Sequence, residues 1–259
     1  MLQELIIFAL VGFGAQIVDG ALGMAYGVVS SSALLALGIP PSHASASVHA
    51  AEIFTTATSA GSHVAHKNVD WKMFWPLAIS GVIGGIFGAY VLTSFDGNKI
   101  KPVIVIYLGV MGCVILYRAW KGKGSKPISP KLAAPLGLVG GFCDAAGGGG
   151  WGPTVTSTLV GSGASPRHAV GTVNTAEFLV TTAVSATFLG ALLSGHWVDS
   201  AGIGQHLTAV IGLIVGGVIA APLAGKITKH VPVRAFTWAV GLLVVVLAIY
   251  QALRLFKVI

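Results

Sequence analysis

The sequence predicts an all-α integral membrane protein built from two homologous halves, and three observations carry that expectation. Hydrophobic residues make up 54% of the 259 and charged residues only 9%, with a mean hydropathy of +0.85. A soluble domain carries about 25% charge. The apolar residues fall into runs at about 2–38, 44–65, 73–95, 102–120, 132–164, 169–194, 206–225 and 232–256, with turn residues and most of the charge in the gaps. Finally, residues 15–65 laid over 140–190 without a gap give 14 identities in 51 positions. They include Asp19/Asp144, Gly23/Gly148, Gly27/Gly152, Gly38/Gly163, Pro41/Pro166, His43/His168 and Glu52/Glu177.

Six runs match a single spanning helix of about 20 residues. The first and fifth are too long for one crossing, and each contains an acid followed by glycines: Asp19 to Gly27 and Asp144 to Gly152. Glycine weakens a helix interior, and irregular backbone at membrane depth survives only where protein covers it or where it lines a cavity. Each long run is therefore expected to be broken, as two crossings or as a re-entrant pair of half-helices. The resulting division is a first membrane repeat over 1–120, a basic cytoplasmic linker over 121–131 and a second repeat over 132–259, with about four spans in each repeat.

Basic residues favour cytoplasmic loops, so they test the relative direction of the halves. An inverted arrangement puts 11 Lys/Arg inside and 4 outside, a parallel one 9 and 6. The inverted model is preferred, with both termini outside and each broken first segment leaving and returning on one side.

The net charge of +7 does not indicate a nucleic-acid partner, because the basic residues lie in short gaps between apolar runs with few aromatics. The start, Met1-Leu2-Gln3-Glu4, lacks the basic region of a cleavable signal and reads as a membrane segment. Cys113 and Cys143 have no metal-type spacing and are expected to be small core residues. There is no nucleophile elbow, HExxH or lysine-bearing phosphate loop. Neither an enzyme nor a bound metal or cofactor is expected.

The polar residues inside the runs carry the chemistry. An ionisable group at bilayer depth costs about 2.5 kcal/mol or more and usually faces a cavity or a partner. Helical spacing groups His49, Glu52 and Thr56 on one face and Asn174, Glu177 and Thr181 on the corresponding face of the other half. Each acid is either structural, bonding across an interface, or a group that titrates or positions substrate. Asp19 and Asp144 suit caps for the half-helices that follow, although free N–H groups at such ends also attract anions. Gln16, Gly20, Gly23, Tyr26, Gly148, Gly149, Gly150, Trp151 and Thr154 are candidate lining residues, as are His49 and Asn174, each with packing as its ordinary alternative. His43 and His168 are expected as caps or interfacial residues. Arg167 either anchors the cytoplasmic side or draws anions to one mouth. The glycines at 81–88 and 212–217 allow close helix approach, in a homodimer or within one protomer.

The paired motifs Gly-Ala-Gln-Ile-Val-Asp-Gly-Ala-Leu-Gly-Met-Ala-Tyr-Gly (14–27) and Gly-Gly-Phe-Cys-Asp-Ala-Ala-Gly-Gly-Gly-Gly-Trp-Gly-Pro (140–153) resemble those of the sulfite exporter TauE/SafE family. So does the histidine that precedes a glutamate by nine positions in each half, His43 to Glu52 and His168 to Glu177. This resemblance implies a secondary carrier in the cell membrane for a small sulfur oxyanion or organosulfonate, such as sulfite or sulfoacetate. Export is the expected direction, with proton coupling through Glu52, Glu177 or His49. The alternatives are a passive anion channel and a scaffold or accessory subunit that moves nothing. The first motif has Leu22, Met24 and Ala25 where the second has Gly147, Gly149 and Gly150, so the two halves need not contribute equally.

Overall fold

The computed structural model describes residues 2–23, 25–121, 129, 132–200, 202–227 and 233–256. Among them every regular element is helical. The first half comprises α1 (Leu2–Leu22), α2 (Tyr26–Ala36), α3 (Pro41–Ala65), α4 (Trp71–Thr93) and α5 (Gly97–Lys121). The second comprises α6 (Ala133–Gly147), a π-helical turn (Gly152–Thr156) that runs into α7 (Ser157–Gly161), α8 (Pro166–Leu193), α9 (Leu207–Ile227) and α10 (Val233–Leu255). Met24, Lys229 and nearly all of the basic linker lie outside the described residues.

Among the described residues, five helices are long and apolar enough to cross a membrane, over Leu2–Asp19, Trp71–Thr93, Gly97–Lys121, Arg167–Leu193 and Thr237–Leu255. α3 has the length, 25 residues, but carries the polar stripe. α6 stops at 15 residues because the glycine run ends it. The faces are sorted as lipid requires: on α4, Ile79, Ile83, Phe87 and Tyr90 are at least half exposed, while Gly81, Gly84, Gly85 and Gly88 are buried on the other side.

Those glycines set the packing. Leu77 lies on Gly137, Gly81 on Gly141, and Phe142 and Ala146 on Gly88, so α4 and α6 run parallel in close contact. A Cβ at Gly84 would overlap the Leu138 carbonyl. The other half repeats this: Leu5 and Phe8 lie on Gly212, Ala9 and Phe13 on Gly216, and α1 runs parallel to α9. The glycines that allowed either a dimer interface or internal packing are thus used within the chain.

Two further pairs join the halves. α3 and α8 cross antiparallel, with Ser59 meeting Asn174, Glu52 meeting Thr181 and His49 meeting Phe188. α5 and α10 do the same, with Gly109 against Ala248, Gly112 against Val245 and Leu116 against Gly241.

Helix ends follow the repeated sequence. Pro41 and Pro166 occupy first-turn positions, where a missing N–H costs nothing. α2 and α7 end on Gly38 and Gly163 at positive φ, with Ile39 N–H donating to the Leu34 carbonyl and Ala164 N–H to that of Leu159. α3 ends the same way but with Lys67 in the left-handed position, φ 54°.

Both long first segments turn back on themselves. Ile17 reaches the level of Ala220 on α9, yet the Tyr26 hydroxyl donates to the carbonyl of Leu213, two turns earlier. Likewise Ala146 lies at Gly88 on α4 while the Trp151 ring has returned to Gly81. One expectation fails here. Cys113 is exposed on the outer face of α5 and only Cys143 is partly buried, so the thiols are not a pair of core residues. Lipid accepts a small weakly polar thiol on an outer face as readily as a core does.

Candidate functional site

The second glycine break is held by side chains, because its backbone has left the helical ladder and its buried polar groups need partners. Gly148 takes φ 73° and Gly149 φ 155°, so the chain leaves α6 and re-enters a helix at Trp151. The Gly150 and Trp151 N–H groups donate to one Asp144 oxygen at 2.8 and 3.0 Å. Ser45 donates to the Ala145 carbonyl at 2.7 Å, Ser31 to that of Gly148, and Tyr107 to that of Gly149 at 2.9 Å. Of the two roles expected of Asp144, the structure shows the cap: it takes the Gly150 and Trp151 N–H donors that could otherwise meet an anion.

The other Asp144 oxygen faces Nε2 of His49 at 3.1 Å. His49 Nδ1 lies 2.8 Å from the Ser45 carbonyl, an acceptor, so Nδ1 is the donor there and the remaining proton lies between Nε2 and Asp144. Glu52 is one turn further along α3, 2% exposed, and accepts from Thr181 of α8 at 3.2 Å. Ligand atoms of His49, Glu52 and Asp144 lie within 4.8 Å of one another, so direct proton exchange is in reach between His49 and Asp144, and a single bridging water would extend it to Glu52. Gly27 and Gly149 touch beside Glu52: a Cβ on Gly27 would stand 2.8 Å from the Gly149 Cα and 3.2 Å from a Glu52 oxygen. The two breaks thus meet at the stripe of α3.

The first break follows the same plan. The Asp19 carboxylate turns to the backbone of Tyr26, the position equivalent to Trp151. Gly23 has φ 63° and lies against Val170 of α8, and Ala25 is held at φ 96°. One turn beyond Val170 stands Asn174, where the other half has His49. Its amide donates to Ser59 at 3.0 Å, and its Oδ1 is buried without a partner. Gln16 Oε1 is likewise buried and unpartnered, one turn before Asp19. Glu177, 9% exposed, has Asp19 as its foremost charged neighbour.

The structure distributes the remaining expected residues more widely. Trp151 is fully buried, with its indole N–H on the Val173 carbonyl, and packs between α4, α6 and α8. Thr154 is half-buried and Gly20 lies within α1. His43 is not a cap: it is 1% exposed, its Nε2–H bonds to the Asp199 carbonyl at 2.6 Å, and it packs on Trp197. His168 is exposed. Arg167 straps the start of α8 to the α3–α4 turn through Asn68 and the His66 carbonyl. Sequence reading missed Ser31, Ser45 and Tyr107. The Ser30-Ser31-Ser32 run in an apolar helix and the position of Ser45 one turn before His49 were usable signals; Tyr107 gave none.

The family model for the sulfite exporter TauE/SafE matches residues 8–251. The chain belongs to this family. A relative in Bacillus subtilis (strain 168), the probable membrane transporter protein YtnM, is 45% identical over 235 residues, covering 88% of this chain and 76% of its own. Membership of TauE/SafE, together with the apolar helices, makes this chain a multi-pass cell-membrane protein with a transporter role.

Proposed function

We propose that this TauE/SafE protein is a secondary transporter that exports a small sulfur-containing anion, sulfite or an organosulfonate such as sulfoacetate. The observation that carries the reading is the meeting of the two broken segments, Gly27 against Gly149, beside the buried Glu52. Broken helices that converge between repeats are how carriers build a site near the midplane. Buried hydroxyls at Ser30, Ser32 and Thr156, which have no hydrogen-bond partner among the described residues, supply donors that an oxyanion needs. Protons move with the anion through His49, Asp144 and Glu52. In the half that carries this triad the second break is tied to α3, so a change in its protonation is felt by the loop.

The halves are read as inverted repeats. Equivalent helices related by an axis along the membrane normal run parallel, whereas α3 and α8, and α5 and α10, are antiparallel. Arg167 beside Asn68, and Arg234 on the Ala119 carbonyl, gather basic residues of both halves on one side. That grouping supports the inverted count of Lys and Arg.

Thermal unfolding of the purified protein against sulfite, sulfoacetate, sulfate, chloride and carboxylates tests the substrate. Stabilisation by a sulfur anion above chloride and acetate is expected. Identical curves in all of them would count against the reading.

A further inference from the structure

The two breaks share a plan but not a charge balance. In one, Asp144 faces the imidazole of His49. In the other, the counterpart of Asp144 is Asp19 and the counterpart of His49 on α8 is Asn174, which carries no charge. Contact of Gly23 with Val170 fixes this register, because Asn174 follows Val170 by one turn and Glu177 by two. Among the residues whose burial is described, no Lys or Arg is buried, and no ion pair to Asp19 or Glu177 occurs among them.

On their own helices each acid follows a buried amide side chain by one turn, Gln16 before Asp19 and Asn174 before Glu177. Asn174 Oδ1 and Gln16 Oε1 are more than nine-tenths buried and have no hydrogen-bond partner. Asn174 uses its amide nitrogen on Ser59, which turns the oxygen away from that bond. Buried unpartnered acceptors are costly, and a buried uncompensated carboxylate costs more. Carboxylate and amide oxygens are the ligands that suit a hard cation. The low-dielectric surroundings favour single over double charge, since desolvation rises steeply with charge. Magnesium in addition gives up its water reluctantly.

We propose that Gln16, Asp19, Asn174 and Glu177 form a sodium site at the first break, where the bound cation takes the part that the His49 imidazole takes at the second. Sodium binding then orders the first break as His49 orders the second. This site stands apart from the identity of the transported anion, and its test needs no substrate.

The test is thermal unfolding of the purified full-length protein in sodium-free choline buffer, titrated with NaCl or KCl at constant ionic strength. Sodium is expected to raise the unfolding temperature saturably, and potassium to do so much less. Asp19→Asn and Glu177→Gln are expected to weaken apparent sodium affinity by about tenfold or more. Asn174→His is the converse experiment: it supplies the missing imidazole and is expected to remove the sodium dependence while the protein stays folded in choline. Equal unfolding in sodium and choline, or a sodium effect undiminished in both carboxyl variants, overturns the proposal. So does a wild-type response to pH with none to sodium, which would assign the site to a proton.

Discussion

His49 and Asp144 meet at 3.1 Å across 95 positions of sequence, and this contact ties the glycine break of the second half to the long helix of the first. Both side chains are buried, and each spends its other polar atom on backbone: His49 on Ser45, Asp144 on Gly150 and Trp151. Removing one partner leaves the other buried and uncompensated, which costs about 3–5 kcal/mol. His49→Gln and Asp144→Asn are each expected to lower stability in detergent by an amount of that order. The double variant is expected to lose less than the sum by more than about 1 kcal/mol. Additive effects would show that the two residues do not act together.

Close packing of α4 on α6 depends on glycine at specific positions. A Cβ at Gly141 would overlap the Gly81 carbonyl, whereas one at Gly190 of α8 meets nothing within 4 Å. Gly141→Ala is expected to destabilise by about 1–3 kcal/mol through overpacking. Gly190→Ala, on an exposed helical face, is expected to stabilise by about 0.5–1 kcal/mol. Unfolding of the two variants in one detergent checks the contrast, and equal effects would contradict the packing described.

Lys67 sits where the equivalent helix ends carry glycine. Its φ of 54° places Cβ against the following carbonyl, at a cost of about 1–2 kcal/mol for an L-residue. The side chain is exposed and is not needed for packing. Lys67→Gly is therefore expected to raise stability by about 1 kcal/mol, and Gly38→Ala to lower it. A loss of stability in Lys67→Gly would refute this account of the α3 terminus.

His206 lies on the short turn before α9, outside the spans, with its ring 5.0 Å from that of His43. Burial first, and then His43, hold its pKa below the ordinary 6.5. A base whose folded pKa is depressed favours the neutral form. Its contribution is present above the unfolded value and is lost as pH falls through it. The unfolding temperature of the wild type is expected to fall from about pH 7 to 5 more steeply than that of His206→Asn. Parallel curves would remove His206 from the account.

Much of this architecture was legible because lipid imposes strong rules. The broken first segments followed from Asp19 to Gly27 and Asp144 to Gly152, since such backbone has no place in a lipid-facing helix. The polar stripe followed from the spacing of His49, Glu52 and Thr56. The bonding around the second break did not follow, because it depends on contacts such as Tyr107 with Gly149 that no local pattern announces. Asp144 read as a cap from its place before the glycines, and the structure shows it taking the Gly150 and Trp151 N–H groups. His43 read as a helix cap or an interfacial residue, and only the fold brings Asp199 to it. The exchange of His49 for Asn174 was visible in the repeat, but its meaning required knowing that His49 meets Asp144 of the other half.

The central claim is that the meeting breaks and the His49–Asp144–Glu52 group move a sulfur anion together with protons. Flux of labelled sulfite and sulfoacetate in proteoliposomes, with and without an imposed pH gradient, tests it most directly. The account predicts flux above empty vesicles that responds to the gradient, and loss of that response in Glu52→Gln. No flux above empty vesicles, or a gradient response unchanged in Glu52→Gln, would contradict it.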